Sequence, residues 1–222
     1  EAPPMKKNVY SLVLSEDVVH EIDKMAYRQG TNRSNLVNQI LAEYASLITP
    51  ERRISHLLSE VRRHFEEAAG FQLPAATAGG MTLRTALQYK YNPTVRYSLE
   101  LSRDNQSVGT LRVSLRTQNS RLIMAMVNFY GLWDTVETAF LGRQQSMVDG
   151  ERYLRVLVLQ STGPQGLLLG SEALGELIAD YIATFDAALK FYFSAPEPQS
   201  PAVRQQVERL YREYYERRNI AV

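Results

Sequence analysis

The segment from Lys6 to Leu47, KKNVYSLVLSEDVVHEIDKMAYRQGTNRSNLVNQILAEYASL, constrains this chain more than any other part of it. Its pattern spells one short alternating strand and two amphipathic helices within about forty residues, too little material to bury a core unaided. A second folded copy is therefore expected to complete it. In the strand, Val9, Ser11 and Val13 alternate with Tyr10, Leu12 and Leu14, the period of a half-buried ribbon. Ser15 follows as a helix N-cap. Glu16 and Asp17 stand in the first turn, where carboxylates meet the positive end of the helix dipole. Val18, Ile22, Met25 and Ala26 mark one face of that helix, and Gly30 stops it. Asn32 or Thr31 caps the next helix, whose apolar stripe is Leu36, Val37, Ile40, Leu41 and Tyr44.

The strand, the Leu14-Ser15-Glu16 helix start, the Gly30 turn and the Arg33-Ser34 opening of the second helix together resemble the ribbon-helix-helix (Arc/MetJ/CopG-like) family of DNA-binding dimers. The resemblance covers residues 5–48. It implies that two copies pair their strands into an antiparallel ribbon that lies in the DNA major groove. It directs Lys7, Val9, Ser11 and Val13 toward the bases. Asn32, Arg33 and Ser34 would meet phosphate, because a helix N-terminus presents unpaired N–H groups.

The chain departs from the family's usual pattern at the groove positions, where polar or basic side chains are the rule. A valine touches only a thymine methyl group, and the Ser11 hydroxyl suits several base edges. Residues 5–48 also balance Lys6, Lys7, Lys24, Arg28 and Arg33 against Glu16, Asp17, Glu21, Asp23 and Glu43. Phosphate neutralisation supplies most DNA affinity, so a neutral module leaves a weak electrostatic footprint. The competing expectation is a module that only dimerises.

With 222 residues, 45% hydrophobic content and a formal charge of +1, the chain has the composition of an ordinary folded protein with one or two cores. No apolar run approaches the roughly 20 residues that span a bilayer. Met5 reads as the initiator, Glu1 to Pro4 are set aside from fold reasoning, and no signal-peptide pattern precedes Met5. Cysteine is absent, which removes disulfides, thiolate metal sites and cysteine nucleophiles together. A cytoplasmic protein without membrane partners is expected.

Residues 49–70 read as a connecting helix. Thr49-Pro50-Glu51 starts it, and Ile54, Leu58, Val61, Phe65 and Ala68 form a narrow seam. Such a seam pairs with its symmetry mate to extend a dimer, the favoured reading, or packs on a second domain. Residues 71–82, rich in small residues, read as a linker. The remainder, 83–222, is expected to form an α+β domain of unknown role. Leu87, Tyr89 and Tyr91 mark one strand; Val95, Tyr97, Leu99 and Leu101 a second; Leu111, Val113 and Leu115 a third. Asp104-Asn105-Gln106 joins the last two as a hairpin.

A helix from Ser120 to Leu141 carries Leu122, Met126, Phe129, Trp133, Val136 and Phe140 on one line. Trp133 there serves core packing or a ligand pocket, packing being the default for a lone tryptophan on an apolar stripe. A strand is expected from Tyr153 to Leu159, a helix from Ser171, and a last helix from Ser200-Pro201 docked by Val203, Val207, Leu210, Tyr211 and Tyr214. Residues 71–118 are the most basic stretch, with six basic residues against Glu100 and Asp104. Arg96, Arg103, Arg112 and Arg116, near tyrosines, are a possible second nucleic-acid face for RNA or single-stranded DNA.

Catalysis finds little support. His20, His56 and His64 show no metal-helix spacing, and neither a phosphate loop nor a nucleophile elbow occurs. No catalytic residue, metal ligand or cofactor is assigned, and no effector ligand is named. The leading expectation is a homodimeric transcriptional regulator, such as a repressor, that binds double-stranded DNA through the N-terminal ribbon and uses 83–222 for effector binding or oligomerisation. The alternative is an accessory protein in which the ribbon-helix-helix only dimerises and the basic C-terminal domain binds RNA, single-stranded DNA or a protein.

Overall fold

A computed structural model describes residues 11–28, 30–44, 50–68, 70–103, 107–161, 169–217 and 220–222. The chain divides into an N-terminal unit, Glu1–Leu47, and a C-terminal unit, Ile48–Val222. Among the described residues the protein is α+β, with six helices, a six-stranded antiparallel sheet and a separate two-stranded ladder.

In the N-terminal unit, α1 (Glu16–Arg28) begins where the Val19 N–H donates to the Ser15 carbonyl at 3.0 Å, the expected cap position. It ends at Gly30, whose φ of 61° lies in the left-handed region, while the Thr31 N–H reaches back to the Ala26 carbonyl. That is a Schellman stop, which favours glycine at the left-handed position. Asn32 caps α2 (Arg33–Tyr44), accepting the Asn35 N–H at 2.9 Å on Oδ1. Among the described residues, the two helices bury Ile22, Ala26 and Leu36, with Met25, Val37 and Ile40 packed around them. Of the expected ribbon strand, the described residues Ser11 to Leu14 form no ladder within the chain and are exposed; Lys7, Val9 and Tyr10 lie outside the described residues. A ribbon made from two copies leaves each copy's strand without an internal hydrogen-bond partner.

The C-terminal unit starts with α3 (Pro50–Glu67). Its seam residues Ile54, Leu58, Val61 and Phe65, with Leu57, join the main core. α3 packs on α5 (Ser171–Ser194), so the expectation of a separate connecting helix at 49–70 that extends a dimer gives way. An apolar seam records the need for a partner and not its identity. The contact is tight at Gly175, where an added Cβ would stand 2.6 Å from Glu60 Cβ and 3.3 Å from the Leu57 carbonyl.

The expected linker at 71–82 also gives way, because it contributes β1 (Phe71–Gln72) and the start of β2 (Gly80–Ala86). β3 (Thr94–Leu101) and β4 (Gly109–Leu115) follow as an antiparallel pair, with Leu101 opposite Gly109; residues 104–106, the expected turn, lie outside the described residues. β2 buries Met81, Leu83 and Thr85, and the expected strand through Leu87, Tyr89 and Tyr91 is instead a turn, with Tyr91 and Asn92 at φ of 68° and 43°. α4 (Ser120–Leu141) keeps its expected limits, capped by Asn119 Oδ1. β5 (Ser146–Asp149) and β6 (Arg152–Leu157) form a hairpin, and β6 inserts beside β4. The sheet order is β1-β2-β3-β4-β6-β5. α6 (Pro201–Glu216) packs on α4 and α5, and β7 (Gln160–Ser161) pairs with β8 (Ile220–Ala221).

Inward strand residues meet the helices in one continuous core. Trp133 belongs to it, fully buried against Phe129, Phe185, Tyr181 and Tyr211, with its Nε1–H donating to the Tyr181 hydroxyl at 3.2 Å. An ion pair lies inside this core. Arg155 Nε donates to Glu137 Oε2 at 3.1 Å, with both side chains fully buried. Arg155 Nη2 also donates to Gln144 Oε1 at 2.8 Å, and the Gln144 amide donates in turn to the Leu141 and Gly142 carbonyls. Burial pushes the Glu137 carboxyl up against the downward pull of Arg155.

Breaking such a pair strands a buried charge, whereas replacing both members by apolar residues removes the desolvation cost as well. Glu137→Leu and Arg155→Met are each expected to destabilise the protein by about 3–5 kcal/mol, and the double variant to recover most of that loss. Urea unfolding of the four proteins in a double-mutant cycle measures it.

Candidate nucleic-acid interface

Two surfaces carry the residues singled out from the sequence, one on each unit. On the N-terminal unit, Ser11 and Val13 are exposed, and Asn32 and Ser34 are exposed at the start of α2. Arg33, expected to meet a phosphate, is paired with a carboxylate of its own chain. Its Nε donates to Asp23 Oδ1 at 2.6 Å and its Nη2 to the other carboxylate oxygen. This two-pronged hydrogen bonding raises the Arg33 guanidinium and holds the Asp23 carboxyl below its ordinary value. Both side chains are solvent-accessible, and exposed pairs of this kind are weak. Asp23 is a competitor for any phosphate that Arg33 would bind. Sequence reasoning missed it because the two residues stand on different helices, brought together by the Gly30 turn.

The same unit leaves large apolar side chains in water. Leu12, Leu14 and Leu41 are 57%, 39% and 50% exposed, and Val13, Val18, Tyr27 and Tyr44 are exposed too. Fully burying a leucine is worth about 1.5–3 kcal/mol, so this set is a substantial reserve of unrealised burial.

On the C-terminal unit, directly opposed residues of an antiparallel sheet share a face. One row of the outer face reads Gln72, Arg84, Arg96, Ser114, Arg152 and Asp149. The next reads Thr82, Ser98, Arg112, Leu154 and Met147. Arg96 and Arg112 are thus neighbours, as expected. Arg116 follows the end of β4, and Arg103 follows the opposite end of β3, so those two stand at opposite ends of the hairpin. Arg84 and Arg152 belong to the face although the sequence reading left them out. Their signal was parity: Arg84 alternates with buried Leu83 and Thr85, and Arg152 with buried Tyr153. The tyrosines of the strands do not serve this face. Tyr97 and Tyr153 are buried on the helix side, and no strand residue of the outer face is aromatic among the described residues.

Elsewhere, a concavity of about 640 Å³ opens between α4 and the α5–α6 turn, lined by Arg121, Met124, Asn128, Tyr192 and Ser200 among others. It is wide open and lacks the enclosure that typically buries most of a small ligand. Among the described residues, no three His, Asp or Glu side chains converge in a metal-sized cluster, and no helix is long and apolar enough to cross a membrane. Comparison with protein-family models, with characterised proteins and with solved structures finds no match.

If Arg33 meets phosphate, Asp23→Asn releases it. Duplex affinity then rises about two- to fivefold, the worth of an exposed ion pair. Arg33→Ala lowers duplex affinity and flattens its salt dependence. A salt titration of duplex binding by both variants decides; equal affinities across the series remove Arg33 from the interface.

Proposed function

We propose that this protein is a homodimeric DNA-binding regulator of transcription, acting as a repressor-type protein in the cytoplasm. Two N-terminal units pair through residues 11–14 and the exposed faces of α1 and α2. The paired strands enter the major groove with Lys7, Val9, Ser11 and Val13 toward the bases, and Asn32, Arg33 and Ser34 lie at phosphate. The C-terminal unit supplies effector binding or further assembly.

One observation carries this reading. The described residues of the N-terminal unit form a core of three and hold Leu12, Leu14, Val18 and Leu41 in water. A second copy laid against them buries what one copy cannot. The order of elements supports the ribbon-helix-helix resemblance: an alternating segment, a helix from Ser15, a Schellman stop at Gly30 and an Asn32-capped second helix.

A second reading has its own support. The module is electrically neutral, and its foremost phosphate candidate is already paired with Asp23. In that reading the N-terminal unit dimerises only, and nucleic acid is handled elsewhere.

Leu14→Asp places a charge inside the proposed interface. It is expected to convert the dimer to a monomer in sedimentation velocity at roughly 10 μM and to weaken binding to the protein's own promoter duplex more than tenfold. A wild-type chain that sediments as a monomer at that concentration sinks the proposal. A dimer without affinity for any duplex selects the second reading.

A further inference from the structure

We propose that the open face of the C-terminal sheet is a nucleic-acid surface in its own right, gripping the phosphate backbone of a strand through Arg84, Arg96 and Arg112 without reading its bases. This inference does not rest on the N-terminal reading.

It begins with an unfavourable pairing. Arg84 on β2 and Arg96 on β3 stand directly opposite each other. Neighbouring strands are about 4.8 Å apart, and like charges so opposed destabilise a sheet. Neither arginine takes part in an ion pair of the described residues, whereas Arg33, Arg62, Arg63, Arg155 and Arg212 each hold a carboxylate. Arg84 is the odder of the two. Its Nε is shut off from water with no hydrogen-bond partner, a condition that normally costs stability.

Arg112 extends the cluster. It faces Ser98 across β3–β4, which makes it a diagonal neighbour of Arg96 at about 7–8 Å. Of the described acidic groups on this face, Asp149 opposes Arg152 at the far edge, and Glu100 lies two rows from Arg96 and diagonal to Arg112 without forming an ion pair with either among the described residues. The side chains between the arginines are Thr82, Ser98 and Ser114, short hydroxyls that leave the guanidinium groups reachable and can themselves donate to phosphate.

A local rule broken without an internal compensation points to an external one. The compensating partner must bring closely repeated negative charge to a flat surface. Guanidinium forks match the oxygen pairs of phosphates, and a nucleic-acid strand presents them in series. A protein partner is disfavoured, because no described strand residue around the arginines is an aromatic anchor. The absence of rings among the described outer strand residues also removes base stacking, so the contact is sequence-independent.

The test uses the full-length chain and the triple variant Arg84→Gln/Arg96→Gln/Arg112→Gln, with fluorescein-labelled mixed-sequence single-stranded DNA, single-stranded RNA and duplex DNA read by anisotropy across a salt series. The wild type is expected to bind the single strands, and the triple variant to lose at least tenfold in affinity and about 2 units of the log–log salt slope. Leu14→Asp is expected to keep the single-strand binding, which separates this surface from the N-terminal one. Arg96→Gln alone should melt no lower than wild type and up to about 3 °C higher, because it relieves repulsion. Unchanged affinity and slope in the triple variant overturn the proposal, as does a lowered melting temperature of Arg96→Gln, which would make the arginine structural.

Discussion

The C-terminal unit is organised around Phe185. Its ring on α5 lies 4.9 Å from that of Trp133, 5.3 Å from Phe129, 5.7 Å from Tyr153 and 6.1 Å from Tyr97, so one side chain touches aromatic residues of α4, β6 and β3. Aromatic contacts of this kind add to the stabilisation from burial alone. The neighbouring residue fixes the geometry further: Asp186 accepts the Tyr97 hydroxyl at 2.9 Å and pairs with Lys190 at 2.6 Å. Burial raises the Asp186 carboxyl while those two partners pull it down. Because α5 is held against the sheet at this point, the inward parity of β2, β3, β4 and β6 is set, and the outward parity with its arginines follows.

The two units differ in how far each satisfies itself. Residues 48–222 bury a continuous core and enclose an ion pair with its hydrogen-bond partners. The described residues of 1–47 bury three side chains and leave four leucine and valine side chains of 11–18 exposed. A unit of that kind has little stability of its own, and whatever covers it contributes to its folding free energy.

Much of this was legible in the sequence, for physical reasons that also mark where legibility stopped. β3 and β4 show strict alternation, and α4 shows a long stripe with Asn119 as its cap and Gly142 after its end, so period and punctuation agree. β2 escaped because Thr85 is a polar member of its buried line and because Tyr89 and Tyr91 prolong the alternation past the point where the chain turns. The seam of α3 was read correctly as apolar, but a seam does not say whether its partner is a copy or another helix of the same chain. Glu137 and Arg155 were missed although each sits on an inward line, Glu137 beside Val136 and Arg155 between Tyr153 and Leu157. A charge on an inward line asks for an opposite charge on another, and that pairing is a tertiary fact. The outer face was half legible: Arg96 and Arg112 could be placed by alternation, while Arg84 needed the register of a strand whose start had been assigned to the linker.

The edges of the sheet have a consequence for how this protein behaves among many copies of itself. One edge strand, β1, is two residues long, and the other, β5, is four, closed by a tight turn at Gly150 with φ of 53°. Short edges offer few unpaired N–H and C=O groups to a passing strand, which blunts the growth of a sheet by edge addition. The β5 edge of the sheet therefore carries little template for fibre formation.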